Sequence, residues 1–206
     1  MTIDIRIHTA AAGSEALLDE ALQALRTELE AHDSVKLLVN GASFFTMPEP
    51  DTQRVVVSII GWSGTAPAAL AAFDQALPIG VSLKALATTV LNGPDADALA
   101  EHVLRSGALE VAIRTPKVGQ EEHFLRERER FFGVVRQQTG FVFEQELLAV
   151  DSDVRAVLIG WKDRPAFMEA LGVLGQAPEM GSFFGTIDVH AYQAFERGAS
   201  TSLRSW

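Results

Sequence analysis

The 206-residue chain has no cysteine. That excludes a disulfide framework, a thiol nucleophile, a zinc ribbon and an iron–sulfur cluster. No apolar run approaches the roughly 18 residues that a membrane span requires. The opening twenty residues carry acids among their apolar positions, so they read as neither a secretory signal nor a transit peptide. A cytoplasmic chain with no membrane partner is expected. Basic residues are few: 17 Lys and Arg against 27 Asp and Glu leave a net charge of −10. That charge repels a phosphate backbone and argues against nucleic acid as a partner. Absent too are the G-x-S-x-G elbow, the G-x-x-x-x-G-K phosphate loop, the dinucleotide G-x-G-x-x-G and H-E-x-x-H. The nearest thing to a metal-ligand cluster is Glu121-Glu122-His123, whose adjacent helical positions do not converge on one ion. No cofactor and no metal is called for by any of these patterns.

What is present is an average globular balance, 48% hydrophobic and 21% charged, and an internal repeat. Gly41 and Gly140 each have Phe three residues on (Phe44, Phe143) and Gly-Trp closing the segment twenty-one residues on, at Trp62 and Trp161. A short polar turn and a proline follow each tryptophan, Pro67 and Pro165, with Thr65 and Asp163 as helix N-cap candidates. Upstream, Gly13 precedes Gly41 by 28 residues and Gly119 precedes Gly140 by 21. The difference of seven equals about two helical turns, an insertion that would lengthen a helix without rotating its buried face. Leu18, Leu22, Leu25 and Leu29 make the apolar stripe of the first helix, and Phe124, Leu125, Phe131, Phe132 and Val135 that of its counterpart.

Each copy thus reads as strand, helix, strand, strand, helix, strand. The predicted fold class is α+β, with tandem ferredoxin-like βαββαβ repeats at 1–92 and 109–196. Residues 93–108 form a linker with a short helix, and 197–206 a frayed tail. Asn92-Gly93-Pro94 marks the break, and Asp151-Ser152-Asp153 a turn between the second and third strands of copy two.

Copy two resembles the antibiotic-biosynthesis-monooxygenase type of dimeric α/β-barrel domain. The residues carrying the likeness are Thr115-Pro-Lys-Val-Gly119, Gly140-Phe141, Gly160-Trp161-Lys162-Asp163 with Pro165-Ala-Phe167, and Asp188-Val-His-Ala-Tyr192. Family members pair two single domains sheet against sheet, so a tandem chain resembles that dimer fused: an intrachain pseudo-dimer forming one barrel, free to assemble further into homo-oligomers. The resemblance implies several activities, among them cofactor-free oxygenases of phenolic substrates and haem-degrading enzymes. A haem-degrading member would need a histidine about ten residues after Trp161 and a first-strand asparagine. Leu171-Gly-Val-Leu-Gly and Ala112 stand at those places, which disfavours that branch.

The function so implied is a cofactor-independent monooxygenase acting on an aromatic or quinol-type small molecule. The rival is a small-molecule-binding or scaffold protein without catalysis, and a third option is one live site in copy two beside a degenerate copy one. The apolar wall would come from Trp161, Phe131, Phe143 and Phe167. Trp161, like Trp62, would otherwise serve as packing at a strand end. His123 sits in the first turn of a helix, where the dipole disfavours its protonated form, and is a candidate proton acceptor. His190 alternates with Asp188 and Tyr192 on the last strand, so the three are expected on one face, as a catalytic group or as a buried hydrogen-bonded cluster. Glu110 and Arg114 share a face of one strand, Glu144 and Glu146 a face of the next. An Arg–Glu pair between neighbouring strands would explain them, whereas an Arg114 that faced the pocket would stabilise a phenolate or carboxylate. The discriminating feature is a cavity: an oxygenase needs a few hundred Å³ with polar groups converging on it, and a scaffold a core packed shut.

Overall fold

The computed structural model describes residues 1–47, 53–64, 66–88, 94–150, 152–198 and 202–203. In chain order the elements are β1 (Thr2–Ala10), α1 (Glu15–Ala31), β2 (Val35–Met47), β3 (Arg54–Trp62), α2 (Ala68–Gln75) and β4 (Val81–Ala87). There follow α3 (Pro94–Arg105), β5 (Ala108–Pro116), α4 (Glu121–Val135), β6 (Phe141–Leu148) and β7 (Arg155–Trp161). The last are α5 (Arg164–Leu174), α6 (Pro178–Phe184), β8 (Ile187–Glu196) and β9 (Ser202–Leu203). Thr65, Asn92, Gly93 and Asp151, named above as cap and turn residues, lie outside the described residues. Asp163 does cap α5: its Oδ1 accepts from the Ala166 N–H at 2.9 Å.

One antiparallel sheet runs through the molecule in the order β4-β1-β3-β2-β8-β5-β7-β6. Its two ends meet, since Thr88 bridges Ala149 and the Val150 N–H points to the Ala87 carbonyl. This α+β arrangement is compatible with a dimeric α/β barrel. The other seam is a longer ladder, Ser43 to Met47 of β2 against Phe195 to Tyr192 of β8. At its start β2 passes so close that a Cβ on Gly41 would lie 2.2 Å from the Glu196 carbonyl oxygen, so only glycine fits. Within the expected tail, Gly198 bonds the Asn40 carbonyl and β9 pairs with Leu37 and Leu38, covering a free stretch of β2.

Alternation along each strand divides the side chains between an interior core and three clusters under the helices. Ile3, Ile5 and Ile7 of β1 face inward with Leu109, Val111 and Ile113 of β5, and α3 adds Leu99 and Val103 to that interior core. The opposite face is covered by helices. Leu18, Leu22, Leu25 and Leu29 of α1 are all buried there, as the periodicity predicts. In α4 the buried set is Phe124, Glu127, Phe131, Phe132 and Val135, while Leu125 is half exposed.

The length difference between the halves does not lie in a helix. Val35 is opposite Trp62 and Phe141 opposite Trp161, each pair followed by a bulge. Ser34 rather than Gly41 therefore stands where Gly140 does. From Gly13 to Ser34 and from Gly119 to Gly140 the spacing is 21 residues alike. The seven extra residues lengthen the β2–β3 hairpin, whose first arm has 13 residues against eight in β6. That additional length is what carries β2 across to β8.

Candidate functional site

The outer face of β5 presents Glu110, Ala112 and Arg114 to α4, α5 and α6. Between them lies a cavity of about 50 Å³, its lining mostly apolar. Phe131, Phe132 and Val135 of α4, Leu171 and Leu174 of α5, and Met180, Phe183 and Phe184 of α6 form its roof. Met47, from the first half, closes one side because the long β2 reaches β8 opposite Tyr192. The space is smaller than the few hundred Å³ of an ordinary ligand pocket. Met47 and Met180 are among the lining residues, and such unbranched thioether side chains adjust readily.

Two donors converge on the carboxyl of Glu110. Trp161 donates its Nε1–H at 2.9 Å and Tyr192 its hydroxyl at 2.6 Å. Burial pushes the Glu110 carboxyl above its ordinary value, and the Tyr192 and Trp161 hydrogen bonds and the Arg114 charge oppose this in part. Burial and the adjacent Glu110 raise the Tyr192 hydroxyl well above its ordinary value, so it remains a neutral donor. Ala112 separates Glu110 from Arg114 along the strand and, carrying only a methyl group, leaves the space between them open.

Arg114 is 2% exposed. Phe183, Phe132 and Phe124 flank its guanidinium at 5.0, 5.6 and 5.8 Å. Its Nη2 donates to Glu146 at 3.3 Å, and Glu146 also accepts from Arg128 Nε and lies 3.6 Å from Arg155 Nη1. Burial brings the guanidinium down to about 10; Glu146 offsets this and the neighbouring Arg128 and Arg155 add to it.

The sequence-based candidates divide. Trp161, Phe131, Tyr192 and Arg114 line the cavity. Phe167 is buried behind Trp161, with ring centroids 6.2 Å apart, and supports it without facing the space. Phe143 points to the other side of the sheet, into the interior core, and stacks on His102 at 5.4 Å. His123 is exposed on α4. His190 is exposed as well, sharing a 2.7 Å hydrogen bond with Thr115. A bulge explains its departure from Tyr192: Arg114 pairs with Val189 and Ile113 with Ala191, so His190 is the extra residue and the alternation breaks there. Glu110, the centre of the site, was visible in the sequence only as half of an Arg–Glu pair. The signal was an acid inside an otherwise apolar strand, Leu109-Glu110-Val111-Ala112-Ile113. The expected Arg–Glu pair between strands is there, from Arg114 of β5 to Glu146 of β6, although β7 lies between the two strands.

No histidine lines the cavity, so it offers no imidazole to a haem iron. Among the described residues no group of three or more His, Asp or Glu is placed to hold a metal ion, and no helix is long and apolar enough to cross a membrane.

No family model matches the chain, and no curated protein matches it in sequence. Solved structures do match it over nearly its full length. An anthrone oxidase-like protein superposes with a TM-score of 0.60 at 10% identity, covering 98% of this chain and 93% of its own. A candidate monooxygenase from Fusobacterium nucleatum subsp. nucleatum gives 0.58 at 9%, covering 99% and 94%. A candidate chlorite dismutase gives 0.60 at 8%, covering 96% and 95%. At such identities the likeness is one of fold, and the chemistry must be argued from the site.

Proposed function

We propose that the chain is a fused pair of ferredoxin-like units, 1–92 and 109–196, in which only the second keeps a working site. That site we read as a cofactor-independent oxygenase of a small phenol- or quinol-type molecule. The observation that carries this is Glu110, a buried carboxyl with a raised proton affinity, held by two donors at the end of an apolar cavity. In its ionised form it takes the phenolic proton. Trp161 and Tyr192 orient the carboxylate, and the Arg114 cation, farther along the same cavity, adds a positive field that favours an anionic ligand. Dioxygen is the co-substrate: one oxygen atom replaces hydrogen on a ring carbon as a carbonyl, the other leaves as water, and the phenolate supplies the electrons. The fold neighbours named as oxidase-like and monooxygenase are consistent with this reading.

Oxygen uptake over a panel of phenols and quinols tests it. Uptake above the protein-free rate is expected, with a fall of about 100-fold in Glu110→Gln and no change in His123→Ala or His190→Gln. A silent panel, or full uptake in Glu110→Gln, overturns the assignment. The narrowness of the cavity favours a second reading, a binding or scaffold protein that holds a small molecule without transforming it. Binding without oxygen uptake selects that one.

A further inference from the structure

Arg114 has a donor to spare. Its Nε–H is buried and has no acceptor among the described residues. Aromatic rings flank the guanidinium, and its one carboxylate partner, Glu146, is shared with Arg128 and Arg155. A buried charged donor without an acceptor is costly, and the space beside this one is the cavity that Glu110 also faces. We propose that the ligand of this cavity carries an oxyanion, a carboxylate above all, that accepts the Arg114 Nε–H while a hydroxyl at its other end meets Glu110. The ligand is therefore a hydroxyl-bearing aromatic acid rather than a simple phenol. Four residues of extended strand separate the two groups, about 13 Å along the backbone. One ring substituted at opposite ends suits such a span. This inference rests on the cavity being a ligand site, and it adds the second recognition point.

The test uses 4-hydroxybenzoate and p-cresol, which share the phenol and differ in carboxylate against methyl. Binding to the full chain is measured by calorimetry. The wild type is expected to hold 4-hydroxybenzoate about 10- to 100-fold more tightly, the range of a hydrogen bond to a charged group. In Arg114→Met the order reverses, because the carboxylate is then desolvated with no cation to meet it. Glu146 keeps Arg128 and Arg155 in that variant, so it is not orphaned. Should Arg114→Met not fold, Arg114→Lys decides: it keeps the charge without the planar fork, and a several-fold loss of the preference is expected. Equal binding of the two ligands by the wild type overturns the proposal, and so does a preference that persists unchanged in the folded variants. If p-cresol binds and Glu110→Gln weakens it while no carboxylate preference exists, the oxyanion inference falls and the cavity reading stands. If neither ligand binds, both fall.

Discussion

β1 and β5 occupy the same place in the two halves, Thr2 opposite Trp62 and Ala108 opposite Trp161. Their outward residues then correspond one to one: Asp4, Arg6 and His8 against Glu110, Ala112 and Arg114. In the first half the middle position is an arginine. Arg6 fills the space under α2, donating to Asp4 at 2.9 Å and reaching Asp74 of α2 with both terminal nitrogens. In the second half the same position is a methyl group, and the acid is left to Trp161 and Tyr192. The halves differ again past α5, where α6 contributes Met180, Phe183 and Phe184 to the cavity roof. The first half has only the short link 76–80 there. On the proposed reading, Arg6 closes the space over its strand position and Ala112 opens the one over its own, although a wider, more open groove of about 340 Å³ lies elsewhere in the first half, between α1 and β2–β3. Removing Arg6 is the sharpest way to test that. Asp4 and Arg6 are each about 5% exposed or less, and Arg6→Met strands the Asp4 carboxylate, so a loss of about 3–5 kcal/mol is expected in urea unfolding. The double variant Asp4→Leu with Arg6→Met should recover most of it, since an apolar pair of similar volume replaces a buried ion pair at little cost. A single variant as stable as the wild type would mean that the network does not hold the first half together.

His8 makes the contrast pH-dependent. It stands where Arg114 does, fully buried, edge-on to Phe73 at 5.6 Å, with neither ring nitrogen partnered among the described residues. Burial, and secondarily the Arg6 charge, lower it to about 4, with Asp74 opposing. Because the folded value lies below the unfolded one near 6.5, the unfolded chain binds the proton first as acid is added. His8 thus takes away stability as pH falls from about 6.5 to 4, by about 3 kcal/mol in all. Asp4 and Glu110, both raised by burial, act in the opposite sense: they weaken the fold as pH rises through their folded values. Only a difference curve isolates the histidine. Wild type minus His8→Phe is expected to slope downward toward acid across that window, and a flat difference would place the imidazole in contact with water.

Much of the architecture could be read from the chain because its signals are local. Gly-Trp, the polar turn and the proline fix β3–α2 and β7–α5 within a dozen residues, and the leucine stripe fixes the buried face of α1. The site is not local. Glu110 meets Trp161 and Tyr192 across 51 and 82 residues of sequence, and only strand order brings them together. Alternation in Ile3-Asp4-Ile5-Arg6-Ile7-His8 suggests a face turned to water, yet helices cover it and the polar groups find partners there or none. The Gly41–Gly140 match misplaced seven residues because Phe44 and Phe143 follow at equal distance. Hairpin register, set by Val35 against Trp62, is invisible without the partner strand. His190 could be placed on the face of Tyr192 only in the absence of a bulge, and nothing in Val189-His190-Ala191 announces one.

The smallest substitution that should matter is at the alanine itself. Ala112 lies between Glu110 and Arg114 on the cavity floor, and exchanging it for leucine adds three carbons where about 50 Å³ is free. Enlarging a packed core residue ordinarily costs about 1–3 kcal/mol through displaced neighbours. Here the cavity can take up part of the volume, and Met47 and Met180 beside it adjust at little cost, so the change in unfolding free energy should remain at or below about 1 kcal/mol. Ligand binding should fare differently. Leucine takes the space between Glu110 and Arg114, and 4-hydroxybenzoate affinity should drop at least tenfold with Trp161 still buried. Ala112→Leu then makes the second half resemble the first, filled at the same position by a side chain without charge. A variant that is strongly destabilised and binds as well as the wild type would mean that the space is too tight for leucine and that the ligand sits elsewhere, ending the contrast between Ala112 and Arg6 as an open and a filled position.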